Sequence, residues 1–258
     1  MKITQIRNAT LRLEFGGKTF LIDPMLAPKA TYPGFPGTAN DHLRNPLVDL
    51  PLPLATILDV DAVIVTHTHL DHWDDAAIDA IPKTMPIFSQ NTQDADIIRR
   101  AGFTSVRVLG EQTEYAGITL IKTSGQHGSD ETYANPQLAE RLGEVCGIVF
   151  RHTHEKTFYL AGDTVWNQHV IDALTHHTPD VVALNIGNAF IPGFGSIIMG
   201  KEDVRRVHQF VPKAVIIATH MEAVNHCLLS RVELRDYLRE EKLQSIAHVP
   251  NDGECVQF

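Results

Sequence analysis

A mixed α/β fold of stacked sheets and helices is what this sequence predicts, on three observations. Apolar, β-branched runs alternate with helical patterns along the chain. One such run, Val60 to Val65, passes through His67-Thr68-His69-Leu70-Asp71-His72 into a helix start at Trp73-Asp74-Asp75. The second half repeats that order of strand, polar residue and helix. With 258 residues, 43% of them hydrophobic, the chain can bury a sizeable core, as one large domain or two small ones.

Residues 2–7, 10–15 and 18–22 read as strands. Leu11, Leu13 and Phe15 alternate with Arg12 and Glu14, and Gly16-Gly17 marks a two-residue hairpin. Asp23-Pro24 closes the third strand, either as a turn or with Asp23 as partner to a ligand histidine. Residues 24–53 hold half of the 14 prolines and read as a long loop, either a wall or lid over a site or an ordered loop without substrate contact. His42 and Arg44 are its candidates for touching an anion. A short helix at 54–59 leads into the strand before the histidines. Helix 73–81, strand 86–89, helix 92–101 behind an Asn91 N-cap, and strands 105–109 and 117–123 follow.

That last strand runs into Gln126-His127-Gly128, another histidine at a strand end, with glycines that let backbone approach a metal. Residues 128–144 read as irregular, and strands 145–151 and 156–161 flank a solvated tip at His152-Thr153-His154-Glu155. Asp163 ends the next strand, as a site residue or as the N-cap of helix 167–175. Strand 180–185 ends at Asn185; helix 202–210 and strand 213–218 lead to Thr219-His220-Met221-Glu222. Of His220 and His226, the strand-end position favours His220 as a ligand, with Glu222 and His226 as candidate proton carriers. Helix 229–240, strand 245–249 and an Asp252-Gly253-Glu254 turn finish the chain.

Three imidazoles and a carboxylate within six residues, at the end of a buried strand, are costly unless something pairs them. A divalent metal is the simplest partner. Imidazole nitrogen suits zinc, with manganese or iron where carboxylate joins it. The net charge of −9, from 31 acidic and 22 basic side chains, argues against a non-specific nucleic-acid binder. Three widely spaced cysteines, Cys146, Cys227 and Cys255, argue against a disulfide framework. No signal-like or membrane-spanning apolar run is present, so a cytoplasmic protein acting on a small molecule is expected, with no membrane partner and room for a homo-oligomer.

The pattern H-x-H-x-D-H at 67–72 resembles the signature of metallo-β-lactamase-fold hydrolases. The resemblance runs from the N-terminal hairpin to the tail, and implies a single domain over 1–258 folded as a four-layer αββα sandwich. Gln126-His127-Gly128, Ala161-Gly162-Asp163-Thr164, Thr219-His220-Met221-Glu222, Asn225-His226-Cys227 and Asp252-Gly253-Glu254 look most like the branch containing L-ascorbate-6-phosphate lactonase. Carried over by position, the resemblance implies one metal on His67, His69 and His127 and a second on Asp71, His72 and His220, with Asp163 bridging. The ions would be zinc first, manganese or iron otherwise. They would hold a bridging hydroxide for attack on a carbonyl or phosphoryl centre, with Asp71 relaying a proton.

Three departures separate the branches. His69 stands where the diiron flavoprotein branch commonly has glutamate, so redox chemistry is disfavoured. Q-H-G replaces the P-G-H-T of glyoxalase II-like thioesterases, and no long insertion between Asp163 and His220 suggests the nuclease branch. The expected function is hydrolysis of a small lactone, ester or phosphate-bearing substrate, with Asp71 and His226 catalytic and Arg44 and Asn185 on the substrate. Lys201, Arg205 and Arg206 are the other anion candidates. The alternatives are a nucleotide phosphodiesterase and a non-catalytic metal-binding sensor; the full set of seven ligands disfavours the sensor.

Overall fold

Strands β1 (Lys2–Arg7), β2 (Thr10–Phe15), β3 (Lys18–Ile22), β4 (Ala62–Val65), β5 (Ile87–Ser89) and β6 (Val106–Val108) form the first half, in a computed structural model that describes residues 1–258. Helices α1 (Leu54–Ile57), α2 (Asp75–Ala80) and α3 (Thr92–Arg100) lie between them. The second half runs β7 (Thr113–Tyr115), β8 (Ile118–Ser124), α4 (Asp130–Ala134), α5 (Pro136–Leu142), β9 (Cys146–Arg151), β10 (Phe158–Leu160), α6 (Gln168–His177) and β11 (Val181–Asn185). It closes with β12 (Phe190–Ile191), β13 (Gly195–Ser196), α7 (Lys201–Phe210), β14 (Val215–Thr219), α8 (Arg231–Glu240), β15 (Ala247–His248) and β16 (Cys255–Gln257).

Two seven-stranded sheets result, ordered β16-β1-β2-β3-β4-β5-β6 and β15-β14-β11-β10-β9-β8-β7. In each, antiparallel hairpins give way to parallel strands: β3 to β6 in the first, and β10, β11, β14 and β15 in the second. Packing explains the sequence pattern. Ala62 and Ile64 of β4 face the space between the sheets with Phe20, Phe150 and Ile217, while Val63 and Val65 face outward against Ala77 and Ile98 of α2 and α3. In β11, Val181 and Ala183 point between the sheets, and Val182 and Leu184 point out toward Leu174, Val204 and Leu234 of α6, α7 and α8. A strand buried on both faces has no polar alternation to show. The layers are therefore α/β/β/α, as the resemblance implied. The parallel strands deliver their C-terminal ends to one edge, where ligands of such sheets generally bind.

Local caps set the helix boundaries. Asp74 is the N-cap of α2 rather than part of its first turn, accepting from Ala77 N at 2.7 Å. Asn91 caps α3 as expected, and Asn167, not Asp163, caps α6. The stretch 128–144 is not irregular: Ser129 caps α4, and Asn135 with Pro136 at the first helical position starts α5. No helix is long and apolar enough to cross a membrane.

The proline-rich loop 24–53 is pinned at its base by Arg7, whose guanidinium is fully buried at the end of β1. It donates to Met25 O and Ala27 O at one end of the loop and to Val48 O, at 3.0 Å, at the other. Burial lowers its pKa to about 10, which still leaves it charged at neutral pH. Replacing Arg7 with Met strands these carbonyls away from water, at a cost of about 3 kcal/mol. Urea denaturation of Arg7→Met should show that loss, and an unchanged midpoint would mean that the loop is not held from its base.

Candidate metal centre

Four strand ends supply the site, and Asn8 in the turn between β1 and β2 supports it. β4 ends in the His67–His72 loop, β8 in Gln126-His127, β10 in Gly162-Asp163 and β14 in Thr219-His220. Gly162, at φ +69°, lets the chain turn where any side chain would collide with Cys146 O. His67, Asp71, His72, His127, Asp163 and His220 are buried, and His69 is partly exposed.

All seven ligands expected from the sequence converge. His67, His69 and His127 form one group and Asp71, His72 and His220 another, each with donor atoms within 4.8 Å of one another; His67, His72 and Asp163 form a third that links them. His67 Nε2 lies 3.0 Å from His69 Nδ1, and His72 Nε2 lies 3.1 Å from both His220 Nε2 and Asp163 Oδ2. His220 Nε2 is 3.4 Å from Asp71 Oδ2 and 3.5 Å from Asp163 Oδ2, and Asp163 Oδ2 is 3.5 Å from His127 Nε2. Ligands at ~2.0–2.2 Å around a tetrahedral zinc stand roughly 3.3–3.6 Å apart. The residues therefore fit a divalent ion: nitrogens and carboxylate oxygens face one another at distances from 3.0 to 3.5 Å, at the edge lengths of a coordination shell or a few tenths of an ångström inside them.

The opposite ring nitrogens are held by the protein, which orients each imidazole. His127 Nδ1 donates to Ile197 O at 2.9 Å, and His69 Nε2 to Arg141 O at 3.0 Å. Thr66 Oγ1 stands 3.2 Å from His67 Nδ1, and Cys227 Sγ 3.4 Å from His220 Nδ1. Asp23 is a ligand partner and not merely a turn residue. Its Oδ2 is 3.0 Å from His72 Nδ1, at ion-pair distance but off the hydrogen-bond axis; its Oδ1 accepts from Thr66 N and its Oδ2 from Thr66 Oγ1, each at 2.7 Å.

Charge divides the two groups. Burial lowers the pKa of His67, of His127 and of His69, the last to about 4, so these rings are neutral and ready to ligate. Burial opposes the charged form of His72 too, but Asp163, Asp23 and Asp71 raise its pKa to about 10, and His220 is raised likewise, chiefly by Asp163. Asp71 and Asp163 stay ionised against burial because of these imidazoles.

A cavity of about 100 Å³ opens beside the cluster, with Asp71, His69 and His127 on its floor. Phe35 and Thr38 of the loop, Arg141 and Leu142 of α5, and Ile191, Ile197 and His226 form its walls. His226 is buried, its pKa is lowered by burial to about 4, and its Nδ1 has no partner. Other expected contacts lie elsewhere. Arg44 sits on the exposed side of the loop, donating to Ala30 O at 2.9 Å and Thr31 O at 2.7 Å, and is not part of the cavity wall. Asn185 is buried behind Asp163, donating to its Oδ1 at 2.6 Å, where it orients a ligand rather than meeting a substrate. Glu222 is taken by Arg231, at 2.7 Å, and is not part of the cavity lining. Lys201 pairs with Glu233, Arg205 with Glu241 and Arg206 with Asp203, away from the cavity. Sequence reasoning missed Asn8, whose Nδ2 donates to Asp71 O at 3.1 Å and to its Oδ2 at 3.4 Å, and missed Phe35 and Arg141 on the walls.

Comparison with known proteins agrees with this geometry. Residues 18–221 match the family described as beta-lactamase superfamily domain. The UPF0173 protein YddR of Bacillus subtilis (strain 168) is 49% identical over the full length of both chains. A UPF0173 metal-dependent hydrolase of Xanthobacter autotrophicus is 27% identical over 75% of this chain and 74% of its own. The solved structure of an isothiocyanate hydrolase from Delia radicum gut bacteria is 52% identical, with a TM-score of 0.98 over 100% of this chain and 99% of that one.

Metal uptake should be proton-linked. Asp163, Asp23 and Asp71 favour a proton on the His72–His220 pair in the metal-free protein, and ligation requires both rings neutral. Filling the centre should release about one proton from this pair, and affinity should fall as pH falls. Calorimetric titration of zinc in buffers of different ionisation enthalpy reads the proton count, and a count of zero would contradict the charge assignment.

Proposed function

This chain belongs to the UPF0173 metal-dependent hydrolases of the metallo-β-lactamase superfamily, and from that premise we propose that it hydrolyses a small, neutral, electrophilic carbon, an isothiocyanate first. We further propose that its seven ligands hold two divalent ions, zinc first, with manganese or iron as the alternatives. The single observation that carries the substrate reading is the cavity. At about 100 Å³ it is far below the ~300 Å³ at which pockets for larger ligands begin. Its walls at Phe35, Leu70, Leu142, Ile191 and Ile197 are apolar, and its one guanidinium, Arg141, already donates to Pro36 O at 2.7 Å. Such a cavity suits an apolar group on a compact reacting centre, and its single guanidinium is partly committed to Pro36 O. The isothiocyanate hydrolase at 52% identity acts, by its name, on a substrate of that kind.

When bound, divalent ions supply Lewis acidity and a hydroxide nucleophile at neutral pH. The chain's own residues do the rest. The apolar walls hold R of R–N=C=S with its central carbon over the cluster. Asp71, at the cavity floor and oriented by Asn8, accepts the proton of the attacking water. The new C–O bond forms as the C=N π pair moves to nitrogen, which is protonated to give a thiocarbamate. Breaking the C–N bond with a second proton transfer to nitrogen releases the amine and carbonyl sulfide. The balance is R–NCS + H₂O → R–NH₂ + COS. His226, neutral on the wall beside Phe35, carries that second proton. A small lactone or ester is the second reading, since the same neutral, narrow cavity suits a planar acyl carbon. A nucleotide phosphodiester is disfavoured by its bulk and charge.

Metal-reconstituted protein should be screened in parallel on isothiocyanates, lactones, thioesters and phosphodiesters. Release of amine from an isothiocyanate is the expected result, and turnover of phosphodiesters alone would overturn the reading. Asp71→Asn should lower kcat on the order of 10²-fold, and His226→Phe similarly, as loss of a general acid–base group does. A folded, metal-loaded Asp71→Asn protein with unchanged kcat would leave Asp71 as a turn residue.

A further inference from the structure

Asn225 sits immediately before His226 and is 2% exposed. Every hydrogen-bonding position of its side chain is used, and all four partners lie in loop 24–53. Its Oδ1 accepts from Phe35 N at 3.0 Å and from Asn45 Nδ2 at 2.8 Å. Its Nδ2 donates to Thr38 Oγ1 at 2.9 Å and to Ala39 O at 2.7 Å. The backbone joins in: Asn225 N donates to Asn45 Oδ1 at 2.8 Å, and Asn225 O accepts from Asn40 Nδ2 at 3.3 Å.

Two of these partners, Phe35 and Thr38, are walls of the cavity, and the next residue, His226, lines it beside Phe35. The rings of Phe35 and His226 meet edge to face with centroids 5.0 Å apart. One buried amide thus fixes the loop wall, while its neighbour in sequence packs edge to face against the Phe35 ring of that wall. We infer that Asn225 is the positioning residue that sets the cavity's width, and through it the size of the group the site accepts. The loop is a preset wall, held at its base by Arg7 and at its crest by Asn225, and not a lid that closes over substrate. Asn225 touches neither the metal-ligand cluster nor the space above it, so its loss should leave metal binding intact and act on substrate fit. The size claim rests on the hydrolase reading; the wall claim does not.

The test compares wild type with Asn225→Ala, and with the milder Thr38→Val, which removes one of the four side-chain bonds, in the zinc-loaded protein. In Asn225→Ala, amide exchange over residues 33–45 should quicken about tenfold or more with zinc content unchanged. KM for allyl isothiocyanate should rise about tenfold while kcat changes less than about threefold, and selectivity should shift toward 2-phenylethyl isothiocyanate. Thr38→Val should move each quantity the same way by less. Unchanged exchange, or equal losses on both substrates carried by kcat, would overturn the inference. If wild type turns over neither isothiocyanate, the hydrolase reading fails on that substrate, and the exchange measurement alone decides the wall claim.

Discussion

Three carboxylates, Asp23, Asp71 and Asp163, are buried together with the imidazoles of His67, His72, His127 and His220 at the shared edge of two sheets. Taking such groups from water costs several kcal/mol each unless they are paired. Positive charge offsets that cost: a proton on the His72–His220 pair, which the carboxylates favour, or a divalent ion in its place. Much of the surrounding structure serves this arrangement. Four non-glycine residues around it take left-handed backbone conformations, Asn8, Asp23, His220 and Glu222. Each such residue costs roughly 1–2 kcal/mol, less for Asn and Asp. Each is tied down: His220 N donates to Asn8 O at 2.9 Å, Asp23 binds Thr66, and Glu222 binds Arg231.

The fold positions that edge without special devices. Parallel strands in both sheets end on the same side, and a residue just past each strand end reaches the centre from a rigid base. The hairpin turn at Asn8 closes the same edge from the N-terminal side, holding Asp71 by its side chain and the β14 end by its carbonyl. The loop 24–53 then walls the remaining opening, so the cavity's shape comes from hydrogen bonds rather than from packing alone.

Most strands and the four donors of the first ligand loop were legible in the sequence as local signals, while His127, Asp163 and His220 were placed by their strand ends and by the family resemblance. H-x-H-x-D-H puts four donors on one turn, and β4 reads as a strand from four consecutive apolar residues. The short helices at 130–134 and 136–142 were not read, since five and seven residues are too few to show a helical period, although Ser129 and Asn135-Pro136 were capping signals. The two-residue strands β12 and β13 lie below any pattern. The supporting residues were hidden for another reason: Asn8 meets Asp71 across 63 positions, and Asn225 meets Phe35 across 190. Nothing local separates Arg7, buried on carbonyls, from Arg44, exposed on the same loop's surface. Asp23, left open between a turn and a ligand partner, needed the fold to bring His72 beside it.

The central claim, that the buried cluster is a two-metal centre, is tested most directly by anomalous diffraction at the zinc edge from crystals of zinc-loaded protein. The account predicts two peaks roughly 3.5–4 Å apart. One should lie within bonding distance of His67 Nε2, His69 Nδ1 and His127 Nε2, the other of Asp71, His72 Nε2 and His220 Nε2, with Asp163 Oδ2 reaching both. A map with no peak among these atoms, and with His72 and His220 still paired to Asp163 by hydrogen bonds, would contradict it.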